Sequence, residues 1–267
     1  WAEVAKPWVD YLSRNALMLQ QGCNVADVGY FYGEEAPLTA LYTRGPAADA
    51  PRAYAYDFVN ADALTGALRN DGGDLATPGC GRYKLLYLGG TSRRMTLATL
   101  RRVAQLAEGG ATIVGNRPEG DPGLVEQPAE YAALTARLWP EGGTASVGQG
   151  RVIASTDVEA ALASIGVAPD FRFTGGSEGA RIPFVHRRLS DGDSYFIVNQ
   201  LDRTETIEAH FRVTGKAPEL WHAESGTSEP VRYRIENGET IVPLTLHGDD
   251  SVHVVFRRPA TGATATI

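Results

Sequence analysis

Two segments set rings, carboxylates and amides close enough together to bind a polar ligand. In Ala26-Asp-Val-Gly-Tyr-Phe-Tyr-Gly-Glu-Glu-Ala-Pro37, a strand-like run ends in three aromatics and passes into Gly33, Glu34 and Glu35. Tyr54-Ala-Tyr-Asp-Phe-Val-Asn-Ala-Asp62 repeats the combination at what reads as the end of the next strand. In open α/β sheets, ligands bind beyond the carboxyl ends of the strands. Tyr30, Tyr32, Glu34, Asp57 and Asn60 are therefore candidate substrate-binding residues, expected to converge at that edge. Rings that stack on C–H faces, beside acids and amides that grip hydroxyl pairs, suit a carbohydrate. The competing reading makes the rings core and the acids helix caps; both stand open.

Other constellations favour plain structural readings. No G-x-S-x-G elbow occurs. Cys23 precedes a strand and Cys80 lies in the loop Thr77–Gly81, so neither sits on a strand-to-helix corner. Two free thiols are the favoured reading, and a disulfide is the alternative in an oxidising compartment. Leu88-Gly-Gly-Thr-Ser-Arg-Arg94 lies between a strand and a helix but has neither the Walker nor the G-x-G-x-x-G spacing, so it reads as a tight turn. His186, His210, His222, His247 and His253 show no paired ligand spacing. Asp249–Asp250 reads as a solvated hairpin turn. No catalytic residue, metal ligand set or cofactor is assigned.

The elements that would position these residues follow two different periods. Over the first two thirds, short apolar runs at 25–32, 53–58, 84–88, 111–115 and 150–155 alternate with helical patterns. Those patterns lie around Ala63–Leu68, Thr96–Glu108, Pro128–Leu138 and Val158–Ile165. Such alternation predicts a parallel, doubly wound sheet. After Pro169 seven short strand-like runs, separated by turns such as Asn237–Gly238, predict an antiparallel β-sandwich. Thr174–Gly179 reads as the linker. The fold class is thus α/β plus all-β, with residues 23–175 as the α/β domain and 180–258 as the sandwich. Residues 1–22 form an amphipathic helix, with Val4, Trp8, Tyr11, Leu12, Ala16 and Leu19 at helical spacing and Gly22 as its stop.

Composition limits the partners. The 267 residues carry 25 Lys+Arg against 32 Asp+Glu, a net charge of −7, with 43% hydrophobic and 21% charged residues. No basic run suits nucleic acid or an anionic membrane surface. No window approaches the ~18 apolar residues of a spanning helix. Trp1–Gln21 lacks the basic and apolar regions of a signal peptide. A Trp- and Leu-bearing helix with nothing before it to pack on reads as part of a longer protein.

The same motifs carry a resemblance. Leu17-Met-Leu-Gln-Gln-Gly22, Ala26–Pro37, Tyr56-Asp-Phe-Val-Asn-Ala-Asp62 and Arg93-Arg-Met-Thr96 resemble the C-terminal part of bacterial α-L-rhamnosidases of glycoside hydrolase family 106. Phe211-Arg-Val-Thr-Gly-Lys-Ala-Pro-Glu-Leu-Trp221, Gly226 and Ser251-Val-His-Val-Val-Phe256 extend it across essentially the whole chain. The resemblance implies a catalytic (β/α)8 barrel, then an amidotransferase-like (flavodoxin-like) α/β domain, then β-sandwiches. Trp1–Gln21 then corresponds to the last barrel helix. The family's acid and base glutamates belong on the barrel, so neither Glu34 nor Glu35 inherits their role. The parent enzyme would release terminal L-rhamnose from glycosides, with the missing N-terminal barrel as this chain's partner and homo-oligomerisation left open. The chain alone would be inactive. The alternative is a non-catalytic accessory module for sugar binding, oligomerisation or support. A free-standing amidotransferase-like enzyme is a weaker third reading, opposed by the missing elbow cysteine. A periplasmic or secreted location is favoured over the cytoplasm.

Overall fold

The computed structural model describes residues 1–35, 49–90, 92–124, 127–141 and 143–265. Ala36 and Pro37 of the first aromatic–acid segment, and Thr91 of the glycine loop, lie outside the described residues. The protein is rich in β-sheet. After helix α1 (Lys6–Leu19) and the short strand β1 (Cys23–Asn24), the chain forms two compact units. One is Ala26–Ala168; the other joins Trp1–Val25 to Pro169–Ile267. The division thus falls at residue 168 rather than near 175. Thr174 and Gly175, read as linker, end a strand that opens on Phe171. Cys23 precedes the strand Val28–Phe31, as read, and itself opens the short strand β1.

The 26–168 unit is built on a six-stranded sheet in the order β3-β2-β7-β8-β10-β9. Its strands are β2 (Val28–Phe31), β3 (Tyr56–Val59), β7 (Leu85–Leu88), β8 (Thr112–Val114), β9 (Thr144–Val147) and β10 (Gly150–Ile153). Every pairing is parallel except that of β9 with β10. Burial on both faces explains why β2, β7 and β8 read as unbroken apolar runs. Phe31, Leu86 and Ile113 pack with Leu100, Val103 and Ala107 of α2 (Leu97–Glu108). On the opposite face Val28, Tyr30, Tyr87 and Val114 pack with Val158, Ala161 and Leu162 of α4 (Val158–Ser164). Helix α3 (Pro128–Leu138) adds Tyr131 and Leu138 to the first core. Thr96 caps α2 by accepting from the Thr99 N–H, as Asp157 caps α4 through Ala160. A small antiparallel sheet of β4 (Arg69–Asp71), β5 (Asp74–Ala76) and β6 (Arg82–Tyr83) adjoins; its polar strands carry no apolar period.

In the other unit two antiparallel sheets enclose one core. The first runs β1-β12-β13-β19-β15-β16, the second β11-β14-β18-β17-β20. The first comprises β12 (Phe184–Arg188), β13 (Asp193–Val198), β15 (Lys216–His222), β16 (Thr227–Pro230) and β19 (Ser251–Pro259) with β1. The second comprises β11 (Phe171–Gly175), β14 (Glu205–Phe211), β17 (Tyr233–Glu236), β18 (Glu239–Leu246) and β20 (Thr264–Ala265). Alternate residues supply the core: Tyr195, Ile197, Val252, Val254 and Phe256 from one sheet, Ile207, Phe211, Val242 and Leu244 from the other. Helix α1 meets β19 through polar contacts, Tyr11 Oη with Ser251 Oγ at 2.9 Å and Asn15 Oδ1 with His253 Nε2 at 2.9 Å. Its apolar positions Trp8, Val9, Leu12 and Leu17 are exposed, Trp8 by 61%, as is Val4 just before it. Gly22 ends the helix with φ 55°, where a Cβ would sit 1.9 Å from the Arg188 carbonyl oxygen.

Candidate functional site

The polar centre of the parallel sheet forms where β2 and β7 run side by side. Register pairs Tyr30 with Tyr87, so both rings leave the same face, 5.2 Å apart and edge to face. Both rings are fully buried, and their hydroxyls reach one acceptor. Tyr30 donates to Asp49 Oδ1 at 2.8 Å and Tyr87 to Asp49 Oδ2 at 2.9 Å. The Gly90 N–H also donates to Oδ2, at 3.2 Å. Burial opposes ionisation of Asp49, but these three donors outweigh it and hold the carboxyl below its ordinary pKa. Burial, reinforced by the Asp49 charge, pushes both phenols well above theirs. The result is a tyrosine-clamped carboxylate at the carboxyl edge.

The other candidates take up separate positions. Tyr32 extends the ring cluster, with Phe58 5.9 Å away, and Phe58 in turn lies 5.3 Å from Tyr30. Asp57 does not join them. The register sets Tyr30 opposite Phe58, so Asp57 leaves the other face, where it accepts from Tyr83 Oη at 3.2 Å. Glu34 lies at the carboxyl edge but grips the start of α2: it accepts from the Thr96 N–H at 2.8 Å and from Thr96 Oγ1 at 3.0 Å. Asn60 Oδ1 accepts from the Ala63 N–H at 2.8 Å and caps the π-helical turn Ala63–Ala67. Convergence of all five residues therefore fails on side-chain parity: Tyr30 and Tyr32 share a face, Asp57 leaves the opposite one, and Glu34 and Asn60 bind backbone.

Asp49 was missed by sequence reasoning. Its signal was indirect: two tyrosines in register on one buried face need a common acceptor. The glycine loop is a tight turn, with the Ser92 N–H on the Gly89 carbonyl at 3.0 Å and Ser92 Oγ bridging to the Phe31 and Gly89 carbonyls. A Cβ on Gly89 would meet the Tyr87 ring at 2.4 Å and the Tyr30 ring at 2.7 Å. Neither cysteine is a free thiol; both are disulfide-bonded, which overturns the favoured sequence reading.

In the sandwich, His186 forms a second polar centre. Its Nδ1 lies 3.0 Å from both Asp170 carboxylate oxygens and its Nε2 3.1 Å from Asp193 Oδ1. Tyr195 stacks on the imidazole at 4.0 Å and donates to Asp170 Oδ1 at 2.8 Å; Arg212 Nη2 lies 3.3 Å from the same oxygen. Burial works against charge on both partners. The two carboxylates nevertheless hold His186 above its ordinary pKa, and His186 with Arg212 holds Asp170 below its own. Asp170, His186 and Tyr195 are buried, so the network holds charge together inside the unit. Among the described residues no group of three or more His, Cys, Asp or Glu could hold a metal ion.

Comparison with known proteins places this architecture. A solved rhamnosidase from Novosphingobium sp. PP1Y is 57% identical and superposes on the whole chain with a TM-score of 0.95. The match takes in only 26% of that enzyme's chain. A curated protein of Formosa agariphila, named provisionally as a beta-glucuronidase, is 32% identical over 96% of this chain and 21% of its own length. The fold also resembles that of a beta-galactosidase from Bacillus circulans sp. alkalophilus, at 10% identity and a TM-score of 0.55, over 96% of this chain and 44% of that one. The chain thus spans about a quarter or less of the first two relatives. The family model for alpha-L-rhamnosidase, glycoside hydrolase family 106, matches residues 1–235, and the chain belongs to that family.

Proposed function

We propose that this chain is the C-terminal part of an α-L-rhamnosidase, a non-catalytic portion supporting a catalytic barrel that precedes it in the same polypeptide. The parent enzyme releases terminal L-rhamnose from glycosides using two carboxylates, with inversion if it follows the family. The observation that carries this reading is the match of the entire chain, at 57% identity, to about a quarter of a rhamnosidase. The site geometry is consistent with it: Glu34, Asp49 and Asp57 each accept from groups of their own unit. The parallel strand order supports an amidotransferase-like fold for residues 26–168. The bare apolar side of α1 suits packing against the barrel. Disulfide-bonded cysteines support a periplasmic or secreted location.

Purified to homogeneity, the chain is expected to release no product from an aryl α-L-rhamnoside, whereas the longer protein turns it over. Turnover by this chain alone would overturn the reading and make Glu34 and Asp49 catalytic candidates. Failure of the longer protein to act on any α-L-rhamnoside would remove the substrate assignment.

A further inference from the structure

A cleft of about 280 Å³ opens between α1 and the outer face of β15 and β16, within the sandwich unit. Arg14, Leu17, Met18, Trp221, Ser228 and His253 line it. Three of these are set by register: Ser228 pairs with Trp221, and Trp221 pairs with His253. They stand in a row across β16, β15 and β19, on one face. Leu220, the neighbour of Trp221, turns inward to the core, so the Trp221 indole belongs to the outer face. It is half-buried, and its Nε1–H is directed at Glu219 Oε2, 3.4 Å away.

The opposite wall comes from the helix. Arg14 Nη1 donates to the Ala223 and Glu224 carbonyls at 2.9 and 2.8 Å, which anchors the guanidinium beside the cleft. Its Nε–H and Nη2–H have no protein acceptor among the described residues. Leu17 and Met18 add an apolar edge, and the Ser228 hydroxyl stands exposed at the rim. The volume lies at the small end of ligand pockets, enough for one ring rather than a chain.

We infer that this cleft binds a single neutral pyranose ring, its C–H face on Trp221 and its hydroxyls on Arg14 and Ser228. The chemistry narrows the ligand. A purely apolar ligand would leave the guanidinium donors of Arg14 uncovered, and the Glu219 carboxylate that accepts from the indole is already paired with Arg258 at 3.0 Å. An anion that binds in place of a sugar would overturn the inference. Stacking on one ring with two or three hydrogen bonds predicts millimolar affinity. The inference is independent of the proposed enzymatic role, since it concerns binding by this chain alone.

The test is a titration of the 267-residue chain with L-rhamnose and, in parallel, D-glucose, followed by tryptophan emission and by calorimetry. Saturable binding of either sugar is expected. It should weaken at least about tenfold in Trp221→Ala, through loss of the stacking face. Ser228→Trp, at an exposed edge position that fills the mouth without touching the core, should weaken it likewise. Melting curves verify that each variant is folded. If neither sugar saturates the unaltered chain below about 100 mM, or if folded Ser228→Trp and Trp221→Ala both bind as the unaltered chain does, the inference is overturned. Binding that survives alongside inactivity of the longer protein on rhamnosides would leave the cleft assigned and remove only the substrate reading.

Discussion

Replacing Asp170 by Asn tests the buried charge network of the sandwich. The carboxylate is fully buried and receives Tyr195, both oxygens face His186, and Arg212 approaches to 3.3 Å. Asparagine keeps the shape and an acceptor for Tyr195 but leaves a protonated His186 facing Asp193 as its one remaining carboxylate and takes the Asp170 charge away from Arg212. Removing one partner of a buried ion pair costs about 3–5 kcal/mol, and the retained acceptor puts this substitution near the low end. With a urea m-value of about 2 kcal/mol/M, a loss of about 3 kcal/mol moves the midpoint down by roughly 1.5 M. Because the chain has two compact units, the assay needs a local probe. Replacing Trp139 by Phe in both proteins leaves Trp1, Trp8 and Trp221, all in the sandwich unit. The pH dependence adds a second readout. The Asp170 carboxyl lies below its ordinary value, so its contribution is present above 3.8 and is lost as pH falls through the folded pKa. His186 lies above its ordinary value, so its contribution is present below 6.5 and is lost as pH rises through the folded pKa. Both act together between 3.8 and 6.5, and there the difference between parent and variant should be largest. A midpoint shift under about 0.3 M, or a difference that does not change with pH, would refute the reasoning.

Glu34→Gln should lower the stability of the 26–168 unit by about 1–2 kcal/mol, since a charged acceptor is removed from the start of α2. In the longer enzyme its kinetics should be unchanged; a large loss of kcat with the melting temperature intact would give Glu34 a direct role. His253 is held down to about 4 by burial. Its ring nitrogens should therefore show the neutral form by NMR at pH 5, and acidification below 6.5 should draw stability from the unit through this residue. Gly89→Ala should loosen the Asp49 centre, because the added methyl meets two buried tyrosine rings. Ultraviolet titration that finds Tyr30 and Tyr87 ionising as before would show that the loop absorbs the change.

The alternation of buried strands with capped helices made the parallel sheet readable, because Thr96 and Asp157 announce their helices locally. The sandwich strands showed themselves by period two and by turns such as Asn237–Gly238, whose residues both take positive φ. What escaped depended on partners distant in sequence. Thr174 and Gly175 read as the start of a linker until their pairing with β14 is known. Asp57 looked like a neighbour of Tyr30 because both end strands, but a one-residue difference in register parity puts them on opposite faces. The apolar stripe of α1, assigned from the sequence to an absent barrel, is exposed at Trp8 and Leu12; its polar side, where Tyr11, Arg14 and Asn15 hold the helix to its own unit, gave no signal. No local pattern distinguishes an apolar stripe that docks here from one left bare.

The discontinuity of the sandwich unit imposes an order on its assembly. Asn15 and its partner His253 are 238 positions apart, and the whole parallel-sheet unit is encoded between them. At typical synthesis speeds of about 5–20 residues per second, helix α1 leaves the ribosome roughly 10–50 s before the strand that receives it. Over that interval the inserted unit can complete its own core, while Tyr11 and Asn15 of α1 wait for the strand that carries their partners Ser251 and His253. Nascent chains stalled just before Ser251 should therefore protect residues 26–168 from protease and leave α1 open to cleavage.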